Sequence, residues 1–464
     1  MSGSQKNGTV LLAWVAMFLN ILNWRLRDVV AGQSVGDIWD IYRVGLAFVA
    51  GVIAVMTILK NSGRLAYALK APMLLLLLYG AVALLSSVLV IANVSFYSMW
   101  KAIELITVTV VCVAMLAHPN RVPVADKALK YIIWILGGML CLYLIEAAIW
   151  PSEAFTKSRG VIPYIMRGVM PITQQNALAF YSAVVALFCV ISLYDKTLAK
   201  SRKLIYMALF VVALIELILA QSRTSFVGFF IAVLVFLFVA REFRHLAILS
   251  FIAFLGLMVW GASGLLLEYL MRGQEEELVY SLSGRTIGWA RALELFKDSP
   301  ILGHGFVAAA RTDILGSIHS GGMSTLHGAF FDVIVGVGLA GLIPWAGAIL
   351  WVVVRMVRIG RYAEVLRNDE LRWKHASMMA LLTLIMVRST TSSGLAIHDH
   401  TYMLFLCVLM YAVTISSRIA EHEGRAAEVG LGDAGQELGV RRRVLWAKSN
   451  ANSTDSQLLS TRRR

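Results

Sequence analysis

Apolar runs near or above the roughly 20 residues that cross a bilayer recur along the chain at 9–24, 41–59, 71–93, 102–118, 130–150, 175–194, 204–221, 224–240, 245–267, 328–354, 375–394 and 401–416. Runs this long and this frequent predict an all-α, polytopic integral membrane protein of about twelve transmembrane helices. Composition agrees, since 59% of the 464 residues are hydrophobic and 15% charged, against about 45–50% and about 25% in soluble domains. Water-soluble enzyme classes are thereby excluded. Trp24, Arg25 and Arg27, rather than a small-residue cleavage site, follow the first run, which favours an uncleaved span over a signal peptide. Cys112, Cys141, Cys189 and Cys407 lie inside apolar runs without CxxC spacing. That pattern suggests neither a disulfide framework nor a zinc site.

Twelve spans put both termini on one side, and loop charge says which. Lys60, Arg64 and Lys70, then Arg121, Lys127 and Lys130, then Lys196, Lys200, Arg202 and Lys203, then Arg241 and Arg244, and finally the basic residues from Arg355 to Lys374 crowd alternate, mostly short loops. The opposite loops are longer and carry their cations thinly. Both termini are therefore expected in the cytoplasm. The net charge of +14 reflects this bias plus a basic tail, and requires no nucleic-acid partner. Residues 1–416 are expected to form one membrane domain. Residues 417–464, ending in Arg462, Arg463 and Arg464, read as a disordered cytoplasmic tail drawn to anionic membrane lipids.

The outer face holds two long loops, about 151–174 and 268–326, and chemistry is expected there. The stretch 281–306, SLSGRTIGWARALELFKDSPILGHGF, predicts a short helix at the membrane surface followed by a turn at Pro300 and Gly303/Gly305. Three basic groups sit at the membrane edge of this face. Each admits a bland reading: Arg223 as a snorkelling arginine at a helix end, Arg285 as part of a solvated helix face, and His327 as an interfacial or capping residue. Taken together they make chemical sense. The sequence has no Walker motif, dinucleotide glycine loop or cytoplasmic catalytic domain, so the energy for an outer-face reaction must arrive within the substrate. A lipid-linked diphosphate supplies it. Arginines fork onto phosphate oxygens, and a histidine among cations stays neutral enough to take a proton from an acceptor hydroxyl.

QSRTSFVGF, GRTIGWARALELFKDSPILGHGF and LHGAFFDVIVGVGLAGL resemble the signature of the O-antigen ligase and polymerase superfamily, bacterial membrane glycosyltransferases of the GT-C type. The likeness is strongest over about 160–355 and includes RGVMPITQQNALAFYS at 167–182. It implies periplasmic transfer of a glycan from undecaprenyl diphosphate without a metal or other cofactor. Arg223 and Arg285 match the family's diphosphate-binding arginines, and His327 its catalytic histidine. Arg167, Asn176, Arg291 and Trp289 are secondary candidates. One departure stands out: Gly328 follows the histidine where the family often has Asn, which puts the detail of acceptor positioning in doubt. The GRTxGW form is closer to exopolysaccharide polymerases than to lipid A-core ligases. The resemblance implies a glycan or lipid A-core acceptor, and polysaccharide-export proteins as partners.

Other groups weigh less. His398, Asp399 and His400 read as capping or sugar-bonding residues before a metal site. Glu275, Glu276 and Glu277 read as a solvated acidic run, His304 and His319 as loop residues. Trp289 reads as an interfacial anchor or a sugar-stacking ring. Gly336, Gly338 and Gly341 are expected to let another helix pack closely. The competing class, a transporter or lipid flippase, would use intramembrane carboxylates, of which Glu104, Glu146 and Glu216 are the main ones. Glu104 and Glu146 could still pair with cations such as Lys101, which keeps transport as an alternative.

Overall fold

A computed structural model describes residues 2–24, 38–89, 95–158, 162–263, 285–307, 326–366 and 368–428. Glu275–Glu277, His319 and the tail beyond 428 lie outside the described residues.

Among these residues, helices stand where the apolar runs predicted them: α1 (Ser2–Ile21), α2 (Ile38–Lys60), a single turn α3 (Leu65–Ala68), α4 (Ala71–Leu89), α5 (Ser95–Ala117), α6 (Arg121–Ile149), another turn α7 (Pro151–Ala154), α8 (Gln175–Tyr194), α9 (Lys200–Leu219), α10 (Arg223–Ala240) and α11 (Phe243–Ser263). A shorter helix, α12 (Arg285–Asp298), precedes α13 (Ala329–Leu366), α14 (Asp369–Ser389) and α15 (His400–Glu428). Eight of the described helices are long and apolar enough to cross a membrane: α2, α4, α5, α6, α8, α10, α13 and α15. The remaining long helices fall short for identifiable reasons. The apolar parts of α1 and α11 are shorter, while α9 and α14 carry charged residues near both ends and pack against α8 and α10 respectively.

Boundaries shift where apolarity is a poor guide to helix length. Helix α13 runs twelve residues past the expected 354 because the basic stretch from Arg355 remains helical, and α15 continues to Glu428, past the expected start of the tail at 417. Charged residues of good helix propensity extend a helix into water without adding hydrophobicity.

Packing follows membrane rules. On α2, Ala47, Ala50 and Ala54 are buried, a small-residue stripe that lets α1 and α5 approach. The other face exposes Phe48, Val52, Val55, Met56 and Leu59, side chains for which lipid is the natural solvent. Helix α15 is the most enclosed span, with Tyr402, Leu404, Phe405, Leu406, Val408 and Leu409 all buried.

Two irregular pieces occupy the end of the bundle that the charge pattern marks as outer. Residues 155–157 and 164–166 form an antiparallel hairpin, β1 (Phe155–Lys157) with β2 (Tyr164–Met166), which hydropathy alone did not predict. Carboxylate oxygens of Glu146 accept the amides of Val169 and Met170 at 3.0 and 3.1 Å, and Gln221 donates to the carbonyls of Ile162 and Tyr164 at 3.1 and 3.0 Å. The hairpin is thus tied to the turn that opens α10.

The second piece corrects the glycine expectation. Gly338 does not simply admit a neighbouring helix: it has φ +59° and breaks α13. The chain after α12 docks into that break by backbone. His304 and Gly305 amides donate to the carbonyls of Val335 and Gly336 at 2.7 and 3.1 Å, and the amides of Leu339 and Ala340 donate to Pro300 and Ile301 at 2.8 and 3.0 Å. Ser86 on α4 adds bonds to the Leu302 and Gly336 carbonyls, and Ser98 on α5 one to Phe306. Backbone groups freed by the break inside an apolar bundle are therefore satisfied.

Candidate active site

Arg223 is the first residue of α10, placed by a tight turn in which Gln221 takes φ +50° and Ser222 is extended at the cap position. Arg285 opens α12, and a change of basicity links the two. Burial, and then the charge of Arg223, make the Arg285 guanidinium a weaker base than usual.

Helix α12 is held in place because it is amphipathic. Gly288, Ala292 and Leu295, spaced three to four residues apart, are buried and pack with Leu326, Ile334 and Val335 of the segment leading into α13. The predicted surface helix therefore exists, and its apolar stripe is what attaches it to the His327 segment.

His327 itself has φ +51°, a left-handed conformation that costs a non-glycine residue free energy and needs enforcement. The enforcement is local. Trp289 of α12 donates its indole N–H to the Leu326 carbonyl at 3.0 Å and stacks on Phe331, while the Asp332 amide donates to the Gly328 carbonyl at 3.0 Å immediately after the histidine. Burial, reinforced by the charges of Arg285 and Arg388, lowers the imidazole to about 4. His327 is consequently neutral at physiological pH, with a ring nitrogen able to accept a proton.

Arg388 is the residue that sequence reading passed over. It lies in the last turn of α14, 8% exposed, with its side chain 5.7 Å from the Phe180 ring centre. Thr391 Oγ1 donates to Thr224 Oγ1 at 3.0 Å, holding the end of α14 against the start of α10. A clue was present in VRSTTSSG: an arginine ending an apolar run on the same face as QSRTSF.

The other candidates are placed less centrally. Arg167 is exposed and donates to the Glu153 carbonyl at 2.7 Å within the hairpin. Asn176 is half-buried in the first turn of α8. Arg291 pairs with Glu294 at 2.8 Å on the exposed side of α12. Trp289 has one ring face covered by Phe331 and acts as a brace. His304 is a loop residue whose Nε2 faces the Leu295 carbonyl at 2.7 Å.

The His398–Asp399–His400 run splays in two directions. His398 turns to Glu104, 3.9 Å away, whereas Asp399 and His400 face each other, Oδ1 lying 3.2 Å from Nδ1, and the same ring nitrogen lies 2.7 Å from the Tyr181 hydroxyl. Among the described residues no group of three or more His, Cys, Asp or Glu is placed to hold a metal ion. Glu104 is tied into a buried cluster with Lys101 at 2.6 Å, Trp100 Nε1 at 2.8 Å and Arg43 at 3.4 Å. Glu146 holds the hairpin, and Glu216 lies 3.5 Å from the Ser182 hydroxyl.

Residues 208–346 match the family described as O-antigen ligase. Over that stretch the chain is similar to O-antigen ligases. The matched segment contains Arg223, Arg285 and His327 and supports the O-antigen ligase and polymerase superfamily, a glycosyltransferase-like family of surface polysaccharide assembly. No curated protein matches the chain.

Proposed function

We propose that this protein transfers a glycan from undecaprenyl diphosphate to an acceptor hydroxyl on the periplasmic face of the bacterial inner membrane, with both termini in the cytoplasm. The observation that supports the reading is that Arg223 and Arg285 open α10 and α12 while a buried, neutral His327 precedes α13, with α12 bonded to the carbonyl before it. The alternate-loop charge bias supports these helix starts lying on the outer face.

The acceptor oxygen attacks the anomeric carbon, and the bond from that carbon to the phosphate oxygen breaks with its electron pair leaving on the diphosphate. The acceptor's proton passes to the His327 ring nitrogen. Direct displacement inverts the anomeric centre. The leaving diphosphate is a weak base and needs no proton, so its developing charge is met by the fixed guanidinium groups, in the role a divalent cation has in other phosphate sites. Within this reaction class the GRTIGW form favours a polymerase, whose acceptor is another lipid-linked repeat unit, over a ligase acting on lipid A-core.

The test is the glycan profile of a deletion strain rescued by wild type or His327→Ala, with lipid-linked and surface polysaccharide separated by size. Loss of long polymer with single repeat units remaining is the expected outcome, and His327→Ala should fail to rescue although the protein is present at normal level, with transfer reduced roughly 10²- to 10⁴-fold in vitro. Long polymer accumulating on undecaprenyl diphosphate would identify a ligase. An unchanged profile would overturn the reading in favour of transport.

A further inference from the structure

We propose that Arg388 binds the donor diphosphate together with Arg223 and Arg285, an inference that rests on the transfer reaction above. Arg388 comes from α14, outside the matched segment 208–346, so the assignment comes from the tertiary structure alone.

Three observations support it. Arg388 is buried at 8% exposure, its Nε has no hydrogen-bond partner, and among the described residues it makes no ion pair. A buried guanidinium with an unmet donor is costly, and the Phe180 ring, the favourable C-terminal end of α14 and the charge of Asp399 offset only part of that cost. The Thr391–Thr224 bond at 3.0 Å holds the end of α14 that carries Arg388 against the start of α10 that carries Arg223, and the charge of Arg388 also acts on His327. The acidic group acting on it, Asp399, does so without closing an ion pair.

Clustered guanidinium groups repel one another, and an anion between them reverses the sign of the interaction. A diphosphate suits this cluster better than a single phosphate. Its oxygens are spread over two phosphorus atoms and can accept from forks approaching along α10, α12 and α14. Arg388 would thus close the third side of the anion site and donate its Nε–H to a phosphate oxygen.

The experiment measures competition by geranylgeranyl diphosphate and by geranylgeranyl monophosphate against transfer, using the full chain in nanodiscs. Arg388→Gln is expected to weaken the diphosphate roughly 10- to 100-fold, the value of a charge-assisted bond, and the monophosphate by only a few-fold. Arg388→Lys should fall between, because a point charge remains without the fork, and it serves where the glutamine variant does not fold. Asp399→Asn separates binding from mere anchoring: removing a competing negative charge should leave diphosphate affinity equal or higher. If Arg388 only anchors the Asp399 loop, Asp399→Asn will weaken the diphosphate as Arg388→Gln does. That result, or unchanged diphosphate affinity in Arg388→Gln and Arg388→Lys, overturns the assignment. A wild-type protein indifferent to the diphosphate overturns the transfer reading itself, and this inference with it.

Discussion

The ring of Trp289 lies on that of Phe331 with centroids 4.8 Å apart and planes 11° from parallel. This contact joins α12 to the first turn of α13, and the indole N–H secures the carbonyl immediately before His327. The catalytic candidate is therefore held by a brace from another helix, in a conformation its own sequence would not choose.

Removing the brace should reduce the rate more than the binding of donor. Trp289→Phe keeps stacking and loses the hydrogen bond, worth about 1 kcal/mol, so kcat should fall several-fold with KM for donor little changed. Trp289→Ala also loses the aromatic pair, worth roughly another 0.5–1.5 kcal/mol, and should fall further. Steady-state kinetics checks both. A rise in donor KM with kcat intact would assign the indole to substrate instead.

The imidazole of His327 sits at about 4, chiefly through burial and then through Arg285 and Arg388. As the acting base it must be neutral, so kcat/KM should hold down to about pH 4 and fall below it. Arg285→Gln removes one cation and should move that acid limb upward, though burial, the larger cause, keeps it below the ordinary 6.5. The sign for stability follows from the folded state disfavouring the proton. This contribution is complete above the unfolded value near 6.5 and is lost as pH falls from there towards 4. Thermal unfolding across that window measures it.

Two glycines near the site should respond oppositely to alanine. At Gly338 a Cβ would collide with the Ile301 carbonyl, and φ is +59°. Backbone cannot yield as a side chain can, so Gly338→Ala should cost more than about 3 kcal/mol and leave little protein surviving detergent extraction. At Gly328 the nearest atoms are Phe331 Cδ2 and Trp289 Nε1, each 3.2 Å from a built Cβ. Both belong to side chains, and Gly328→Ala should remain folded with a modest fall in activity. Size-exclusion profiles distinguish the two outcomes.

Glu104 provides a stability test that also bears on transport. Its carboxylate neutralises Lys101 at 2.6 Å inside the bundle, with side-chain exposures of 0% and 9%. Glu104→Gln strands a buried ammonium and should cost about 3–5 kcal/mol. The double change Glu104→Gln with Lys101→Met should recover much of that loss. Melting temperatures in detergent report the effect. A Glu104→Gln protein of normal stability that had lost its cellular function would favour the transporter class.

Much of the architecture was legible because membrane solvation is a local rule. Each span must bury about 20 residues of apolar side chain whatever surrounds it, so the runs at 71–93 and 175–194 located α4 and α8 within a few residues, whereas α6 starts at Arg121, ahead of its run at 130–150. The surface helix was legible in the amphipathic stretch 281–306 and its break at Pro300 and Gly303/Gly305, and the matched segment contains Arg223, Arg285 and His327. Helix ends such as those of α13 and α15 were not legible, because hydropathy falls to zero where a helix enters water but hydrogen bonding along it does not.

By itself the sequence determined the polytopic helical class, the charge asymmetry between loops and the chemical types assembled for an anionic donor. These follow from side-chain transfer free energies, which each segment carries independently of the rest. Only the tertiary structure decided that Arg388 of α14 lies with Arg285 and His327, that Gly338 breaks α13 to receive the chain from Pro300 to Gly305, and that Trp289 braces the histidine. Those relations depend on which helix ends meet, and that is settled by packing between segments far apart in the chain, where no local pattern records it.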